Sequence, residues 1–139
     1  MGECSILRER LAYEVMSTPP VTVGLDASVS EASRVMYTNN VGSVVVVDGE
    51  GRVAGILTRR DILRLVATGE AARDPKVESV MAAGVVTAGE RDSLSSILSR
   101  MRAAGVKHVV VVDEGERPVG VVSMWDILGL LAGECIEDL

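Results

Sequence analysis

The chain is poor in the residue types on which nucleic-acid surfaces and most active sites depend. Its 139 residues include no Phe, one Trp, two Tyr, one His and two Cys. Base-stacking platforms for single strands need several aromatic side chains, which this composition lacks. The 14 Lys and Arg are scattered and outnumbered by 20 Asp and Glu, so the net charge is −6. Binding to a phosphate backbone needs clustered cations, and nucleic acid is therefore not expected as a partner.

Long apolar runs are also missing. The longest stretches of large apolar residues, such as Val44–Val47 and Val109–Val112, are far shorter than the ~18 residues that a membrane span requires. Residues Met1–Arg10 carry mixed charges and no apolar block, unlike a signal peptide. We therefore expect a cytoplasmic protein without membrane contact. In that compartment Cys4 and Cys135 are expected as free thiols, and a disulfide within a chain or across a dimer stays open.

Motifs for catalysis are absent as well. The chain has no P-loop, no glycine-rich dinucleotide fingerprint and no paired nucleophile and base. The single histidine, His108, has no metal-ligand cluster around it in the sequence. We therefore expect neither an enzyme nor a metal or cofactor site.

An internal duplication organises the sequence. Residues 15–67 align with residues 80–132 without a gap at an offset of 65 positions, with 21 identities in 53 positions. The valine run before Asp48 matches the run before Asp113, and Asp61-Ile62-Leu63 matches Asp126-Ile127-Leu128. Tandem duplication predicts that both copies have the same fold.

Each copy predicts the order strand, helix, strand, strand, helix. In the first copy the predicted strands are Val21–Val23, Val44–Val47 and Val53–Leu57, the last two joined as a hairpin by the turn residues 48–51. The continuous apolar run Val44–Val47 predicts a strand buried on both faces. The first helix starts at Asp26 or Ser28, with Glu31 placed for a capping box, and ends at Asn39-Asn40, as Gly105 ends its counterpart. The apolar stripes at helical spacing are Val29, Ala32 and Met36 in this helix and Leu94, Ile97, Leu98 and Met101 in the counterpart. The second helix is predicted at residues 61–66, and an additional helix is predicted near the start of the chain, at Ser5–Val15.

The predicted fold class is α/β (α+β). One copy of about 55 residues makes a marginal core by itself, so the two βαββα repeats are expected to pack through their sheets around a pseudo-two-fold axis with two equivalent clefts. The predicted boundaries are an N-terminal helical extension (1–13), the first repeat (14–69), a linker (70–78), the second repeat (79–133) and a C-terminal tail (134–139).

The repeated residues resemble CBS domains, named for cystathionine β-synthase. The resemblance rests on Val15-Met16-Ser17-Thr18-Pro19-Pro20-Val21-Thr22-Val23, on Val41-Gly42-Ser43 with the valine run, and on Gly55-Ile56-Leu57-Thr58-Arg59-Arg60-Asp61. The second copy matches at Val80-Met81, Val86-Thr87, the segment 106–113 and Gly120-Val121-Val122-Ser123-Met124-Trp125-Asp126. The resemblance runs from about Tyr13 to Leu131.

A pair of such domains implies clefts that bind AMP, ADP, ATP or S-adenosylmethionine. By the resemblance, Asp61 and Asp126 take the ribose hydroxyls, while Thr58 and Ser123 contact phosphate. The adenine contacts implied in the same way are Thr22, Val23, Gly42, Ser43, Thr87, Lys107 and His108. Which copy's strands serve which copy's Asp stays open.

Helix capping is the structural alternative for Thr58-x-x-Asp61 and Ser123-x-x-Asp126, because a hydroxyl followed by a carboxylate at the third helical position suits a helix start. The copies also differ: Arg59 and Arg60 have Met124 and Trp125 as counterparts, and the strand entries are Gly42-Ser43 and Lys107-His108. We hypothesise that the clefts are unequal and that one takes a charged phosphate tail. A phosphate that faces both copies would meet Arg59 or Arg60 together with Lys107 and His108. The alternative is that these four side chains are solvated surface groups.

Two functions follow from these features. The first is a stand-alone regulatory module that senses adenine nucleotides and signals to an unidentified regulated protein. The alternative is a ligand-free scaffold for dimerisation or interaction. In either case the apolar helices Asp61–Val66 and Asp126–Leu131 predict a homodimer.

Overall fold

A computed structural model describes residues 5–134 of the chain. Cys4 and Cys135 lie outside the described residues, as does nearly all of the predicted tail. The helices are α1 (Ile6–Glu9), α2 (Ala12–Val15), α3 (Val29–Asn39), α4 (Arg59–Ala67), α5 (Leu94–Ala104) and α6 (Met124–Glu134), with short 3-10 helices at Glu70–Arg73 and Val77–Ser79. The strands are β1 (Thr22–Gly24), β2 (Ser43–Val47), β3 (Val53–Thr58), β4 (Thr87–Gly89), β5 (His108–Val112) and β6 (Pro118–Ser123). None of the helices within the described range has the length and apolar character that crossing a membrane would require.

The described chain divides into two compact units. One spans Pro20–Val85, and the other combines residues 5–19 with residues 86–134. These limits differ from the repeats in the sequence. The segment that precedes β1 packs with residues 86–134, and the segment that precedes β4 packs with the rest of the Pro20–Val85 unit. The mixed α and β fold with the order βαββα in each repeat is as predicted.

Each unit contains a three-stranded sheet. In the Pro20–Val85 unit, β1 runs parallel to the central strand β2, and β3 pairs antiparallel with β2. The second sheet repeats this order with β4, β5 and β6. Val44, Val45 and Val46 are at most 1% exposed, so burial on both faces of the central strand is confirmed.

One face of the first sheet packs on α3. Val44, Val46 and Leu57 form a buried cluster with Ala32 and Met36 of that helix. The second unit has the equivalent cluster of β5, β6 and α5 residues. The apolar stripes at helical spacing therefore predicted these two cores correctly.

The ends of α3 follow from side-chain chemistry. Ser28 is the N-cap, because its hydroxyl accepts the backbone N–H of Glu31, and this decides between Asp26 and Ser28. Asn40 closes the helix in the left-handed conformation at φ 52°, and Gly105 does the same for α5 at φ 67°.

Two boundary predictions were wrong. The predicted leading helix Ser5–Val15 is two short helices, because Leu11 between them is extended and bridges to Ser93. The second helix of the first repeat starts at Arg59, two residues before Asp61, because Thr58 is its N-cap.

The leading segments occupy equivalent places in the two units. Val77 donates its N–H to the Ala27 carbonyl in one unit, and Ala12 donates to the Asp92 carbonyl in the other. Ala82 forms a bridge with Ile56, and Ser17 forms the same bridge with Val121. The residues 70–78 predicted as a linker therefore contribute buried structure, since Val77 is fully buried.

Candidate functional site

The candidate residues of the first repeat converge at one end of the first sheet. Ser43 and Thr58 are direct partners across the β2–β3 pair, so their side chains lie on the same face. The Gly42 carbonyl accepts the backbone N–H of Arg59 at 3.0 Å. This bond holds the entry of β2 against the N-terminus of α4, and it places Gly42, Ser43, Thr58 and Arg59 together.

Thr58 and Asp61 form a capping box at the start of α4. One carboxylate oxygen of Asp61, Oδ2, accepts the Thr58 backbone N–H at 2.8 Å and its hydroxyl at 3.0 Å. The backbone N–H of Asp61 is directed back at the Thr58 hydroxyl. Arg64 takes the second oxygen, with Nη1 at 3.2 Å from Oδ1. The capping alternative is therefore correct for this structure, and the carboxylate keeps one oxygen whose only partner among the described residues is a half-exposed Arg64.

Thr22 and Val23 lie on opposite faces of β1. Thr22 pairs with Val45, which puts its side chain on the face of Ser43 and Thr58, whereas Val23 packs against the core cluster. In this parallel register the amide and carbonyl of Val23 point to β2, and those of Thr22 point to the free edge of the sheet. The structure therefore separates the two predicted residues, and only Thr22 presents its side chain and backbone to the site.

The two arginines of the motif are both exposed but differ in placement. A Cβ built on Gly42 would lie 3.5 Å from the Arg59 guanidinium carbon, so the Arg59 side chain extends across the entry of β2. Arg60 follows in the first turn of α4. Together with the dipole of the α4 N-terminus, they give this end of the sheet positive potential in an acidic protein.

The second repeat has the same backbone arrangement at its strand entry and helix start, with different side chains. His108 pairs with Ser123 across β5 and β6, and the Lys107 carbonyl accepts the Met124 N–H at 2.9 Å. Asp126 accepts the Ser123 N–H at 2.8 Å and donates its own N–H to the Ser123 hydroxyl at 3.1 Å.

Two arginines at these sites were missed by the sequence analysis. Arg64 contacts Asp61 from the next turn of α4. This contact could have been predicted, because residues at i and i+3 of a helix are neighbours on its surface. In the other unit, the Arg100 guanidinium donates to the Thr87 carbonyl at 2.8 Å and to Asp92 at 3.0 Å. Arg100 lies 13 residues from Thr87 in the sequence, so only the packing of α5 beside β4 brings them together.

The arrangement suits binding. It combines hydroxyls, carboxylates and guanidinium groups with a helix N-terminus, which are groups that hold phosphates and sugar hydroxyls. Within residues 5–134 no three His, Cys, Asp or Glu side chains are grouped as metal ligands would be.

Known proteins share this arrangement. The model of the CBS domain family matches residues 12–68 and again residues 77–133. The CBS domain pair of a protein crystallised with 5′-methylthioadenosine and S-adenosyl-L-methionine is 30% identical, covers 90% of this chain and 98% of its own, and superposes with a TM-score of 0.83. A CBS domain protein from Pyrobaculum aerophilum complexed with AMP is 28% identical, with coverages of 89% and 99% and a TM-score of 0.77.

Curated relatives are longer proteins. The L-aspartate semialdehyde sulfurtransferase of Methanocaldococcus jannaschii is 30% identical over 89% of this chain, which spans 24% of that enzyme. The inosine-5′-monophosphate dehydrogenase of the same organism is 34% identical over 84% of this chain, which spans 23% of it. The similarity to both enzymes is thus limited to about a quarter of their length. With both repeats matched by the family model and the fold shared with solved domain pairs, this chain belongs to the CBS domain family and carries two copies of the domain.

Proposed function

We propose that this chain is a regulatory module that binds an adenosine-containing ligand, namely AMP, ADP, ATP or S-adenosylmethionine, and signals to a partner protein through a conformational change. The observation that carries the proposal is the convergence of Ser43, Thr58 and Asp61 at one sheet end, repeated with Ser123 and Asp126 in the other unit. Solved relatives of the same fold hold such ligands. The proposal is for binding, without catalysis and without a resident cofactor.

Each group has a role in this scheme. The carboxylates of Asp61 and Asp126 accept the ribose hydroxyls through the oxygen that the capping bond leaves available. The hydroxyls of Thr58 and Ser123, with the helix N-termini, face the phosphate. Thr22, Gly42 and Ser43 in one unit, and Thr87, Lys107 and His108 in the other, lie toward the base.

Ligand binding is tested by thermal unfolding of the full chain with AMP, ATP, S-adenosylmethionine and NAD. A ligand that binds only the folded state stabilises it by about 2.7 kcal/mol at a hundredfold excess over its dissociation constant. We expect a clear rise in the unfolding midpoint with at least one of the first three. A midpoint unchanged by every compound would favour the alternative function, an interaction scaffold without ligand.

The alternative has an observation in its favour. Leu63 and Val66 of α4 are 69% and 63% exposed, and Trp125 and Leu128 of α6 are 81% and 47% exposed. Apolar helix surfaces of this kind are typical of contact faces between proteins, and we assign them to a cytoplasmic homodimer in both functions. Light scattering should give twice the chain mass, and Leu63→Glu should reduce it to one chain. A monomeric mass for the unaltered chain would contradict the dimer.

A further inference from the structure

The two repeats are not equivalent at the site proposed above. Because the repeats align at an offset of 65 residues, each group of one site has a defined counterpart in the other. The counterparts differ in three respects: the positive charge available for a phosphate, the side chain at the centre of the site, and the free backbone groups of the edge strand.

Positive charge is concentrated at the start of α4. Arg59, Arg60 and Arg64 belong to this helix, while their counterparts in α6 are Met124, Trp125 and Gly129. Arg64 neutralises Asp61, and the other two guanidinium groups remain for an anion beside the helix N-terminus. In the second repeat, the cation at the strand entry is Lys107, whose counterpart is Gly42.

Ser43 is an independent indication of a ligand in the first repeat. The residue is 9% exposed, and its hydroxyl makes no hydrogen bond with any described residue. It lies on the same face of the sheet as Thr58, directly across the strand pair. Among the described residues no fully enclosed side-chain oxygen or nitrogen lacks a partner, so the unpaired Ser43 hydroxyl opens onto the site, where it is placed to bond a molecule that fills it. Its counterpart is His108, a larger side chain of different chemistry.

The edge strands differ in their free backbone groups. The Thr87 carbonyl of β4 is occupied by Arg100, which Asp92 holds in place. The counterparts of Arg100 and Asp92 are Val35 and Ala27, and both pack against the core cluster of their unit. Thr22 therefore keeps an amide and a carbonyl at the sheet edge for the donor and acceptor positions of a purine base, whereas Thr87 has its carbonyl already bonded.

From these differences, and resting on the function proposed above, we propose that the chain binds phosphorylated adenosine at one site only, the one built by Ser43, Thr58, Arg59 and Asp61. The Arg64–Asp61 pair opposes the ribose contact, but Arg64 is 53% exposed, and exposed ion pairs contribute little. Contacts between phosphate and the arginines outweigh it, because charge-assisted bonds to anions are the strong kind. The Asp126 site lacks both the arginines and the open edge.

Calorimetry of the full-length chain with AMP tests this assignment. We expect one AMP per chain, at least tenfold weaker binding in Asp61→Asn, and a change below about twofold in Asp126→Asn. The two variants are matched controls, because Asp61 and Asp126 accept equivalent capping bonds of 2.8 Å and lose the same charge. Unfolding midpoints of both variants verify that each is folded.

A second comparison isolates the phosphate. AMP should bind at least tenfold more tightly than adenosine, and Arg59→Met, which introduces the side chain of the second repeat, should reduce that preference. Arg73→Met removes one exposed charge outside the site and should leave it unchanged. Two equal AMP sites, loss of binding in Asp126→Asn instead of Asp61→Asn, or equal affinity for AMP and adenosine would overturn the assignment while leaving the regulatory function intact. If none of AMP, ADP, ATP, adenosine and S-adenosylmethionine binds the unaltered chain, the proposed function fails together with the assignment.

Discussion

Gly55 of β3 lies so close to Met81 that the position admits no side chain. A Cβ at Gly55 would overlap the Met81 sulfur, and it would lie 2.8 Å from the Met81 Cγ and 3.0 Å from the Ala82 carbonyl oxygen. Gly120 has the same relation to Met16, whose Cγ would be 2.7 Å away. At the residue scale, these two glycines let the leading segment of each unit approach the sheet.

Alanine at these glycines is expected to destabilise the protein. Gly55→Ala and Gly120→Ala each should lower the free energy of unfolding by about 1–3 kcal/mol, because the methionine and the leading segment have to move. Urea denaturation measures the loss. Gly24→Ala is the matched strand control, since a Cβ there meets nothing within 4 Å. Equal free energies of unfolding for all three variants would show that the methionine can move away from the added side chain without loss of stability.

Helix α3 shows how an element is fixed from outside its own sequence. Ser28 caps it locally, but Asp74, which is 44 residues away from Ser30, accepts the Ser30 backbone N–H at 2.9 Å and its hydroxyl at 2.6 Å. The Pro75 carbonyl accepts the Val29 N–H in the same region. At the element scale, the segment after α4 thus satisfies donors of the first turn of α3 that lack partners inside the helix.

This contact predicts a pH dependence. The hydrogen bonds from the Ser30 hydroxyl and amide lower the pKa of Asp74 below its ordinary value of 3.8. A depressed pKa in the folded state means that the stabilisation is complete above pH 3.8 and is lost as the pH falls through the folded pKa. The stability difference between the unaltered chain and Asp74→Asn should therefore be constant near neutrality and shrink below pH 3.8.

Urea unfolding at a series of pH values measures that difference, and NMR titration reports the carboxyl directly. Ser30→Ala removes one of the two donors, so it should bring the pKa of Asp74 back toward 3.8. An Asp74 pKa unchanged by Ser30→Ala would contradict the assigned cause.

At the scale of the whole molecule, the compact units and the sequence repeats are different divisions of the chain. The Pro20–Val85 unit includes Val77, which is fully buried in its core cluster, and the bridge between Ala82 and Ile56. A fragment limited to the first repeat, 14–69, lacks both. It would also include Val15 and Met16, which pack in the other unit.

Two fragments of the chain, one limited to the compact unit and one limited to the sequence repeat, test which division folds on its own. Residues 20–85 are expected to unfold cooperatively on heating, monitored by circular dichroism, even though a unit of this size is only marginally stable. Residues 14–69 are expected to show no cooperative transition, because the core is left open where Val77 packs. Val77→Ala in the 20–85 fragment should lower its midpoint through the cavity it creates. A cooperative transition of the 14–69 fragment would show that the leading segment is dispensable.

Much of this protein could be predicted from local sequence. The offset of 65 residues predicted two copies of one fold, the valine runs predicted central strands buried on both faces, and Ser28, Asn40 and Gly105 marked the ends of helices. Thr58-x-x-Asp61 predicted a capping box as well as a ligand contact. Apart from the duplication, which is found by aligning the chain with itself, these features are set by neighbours within a few residues, so the linear pattern is enough to predict them.

The tertiary structure decided the features that depend on distant partners. Val15 and Met16 belong by sequence to the first repeat, yet they pack with the second unit, because closing each core requires the other repeat's leading segment. Arg100 reaches the Thr87 carbonyl only because α5 packs beside β4, and Val23 turns into the core because its register with β2 alternates the faces. The sequence by itself thus determined what each element is and where it begins, whereas packing determined which groups face the site and which are already bonded.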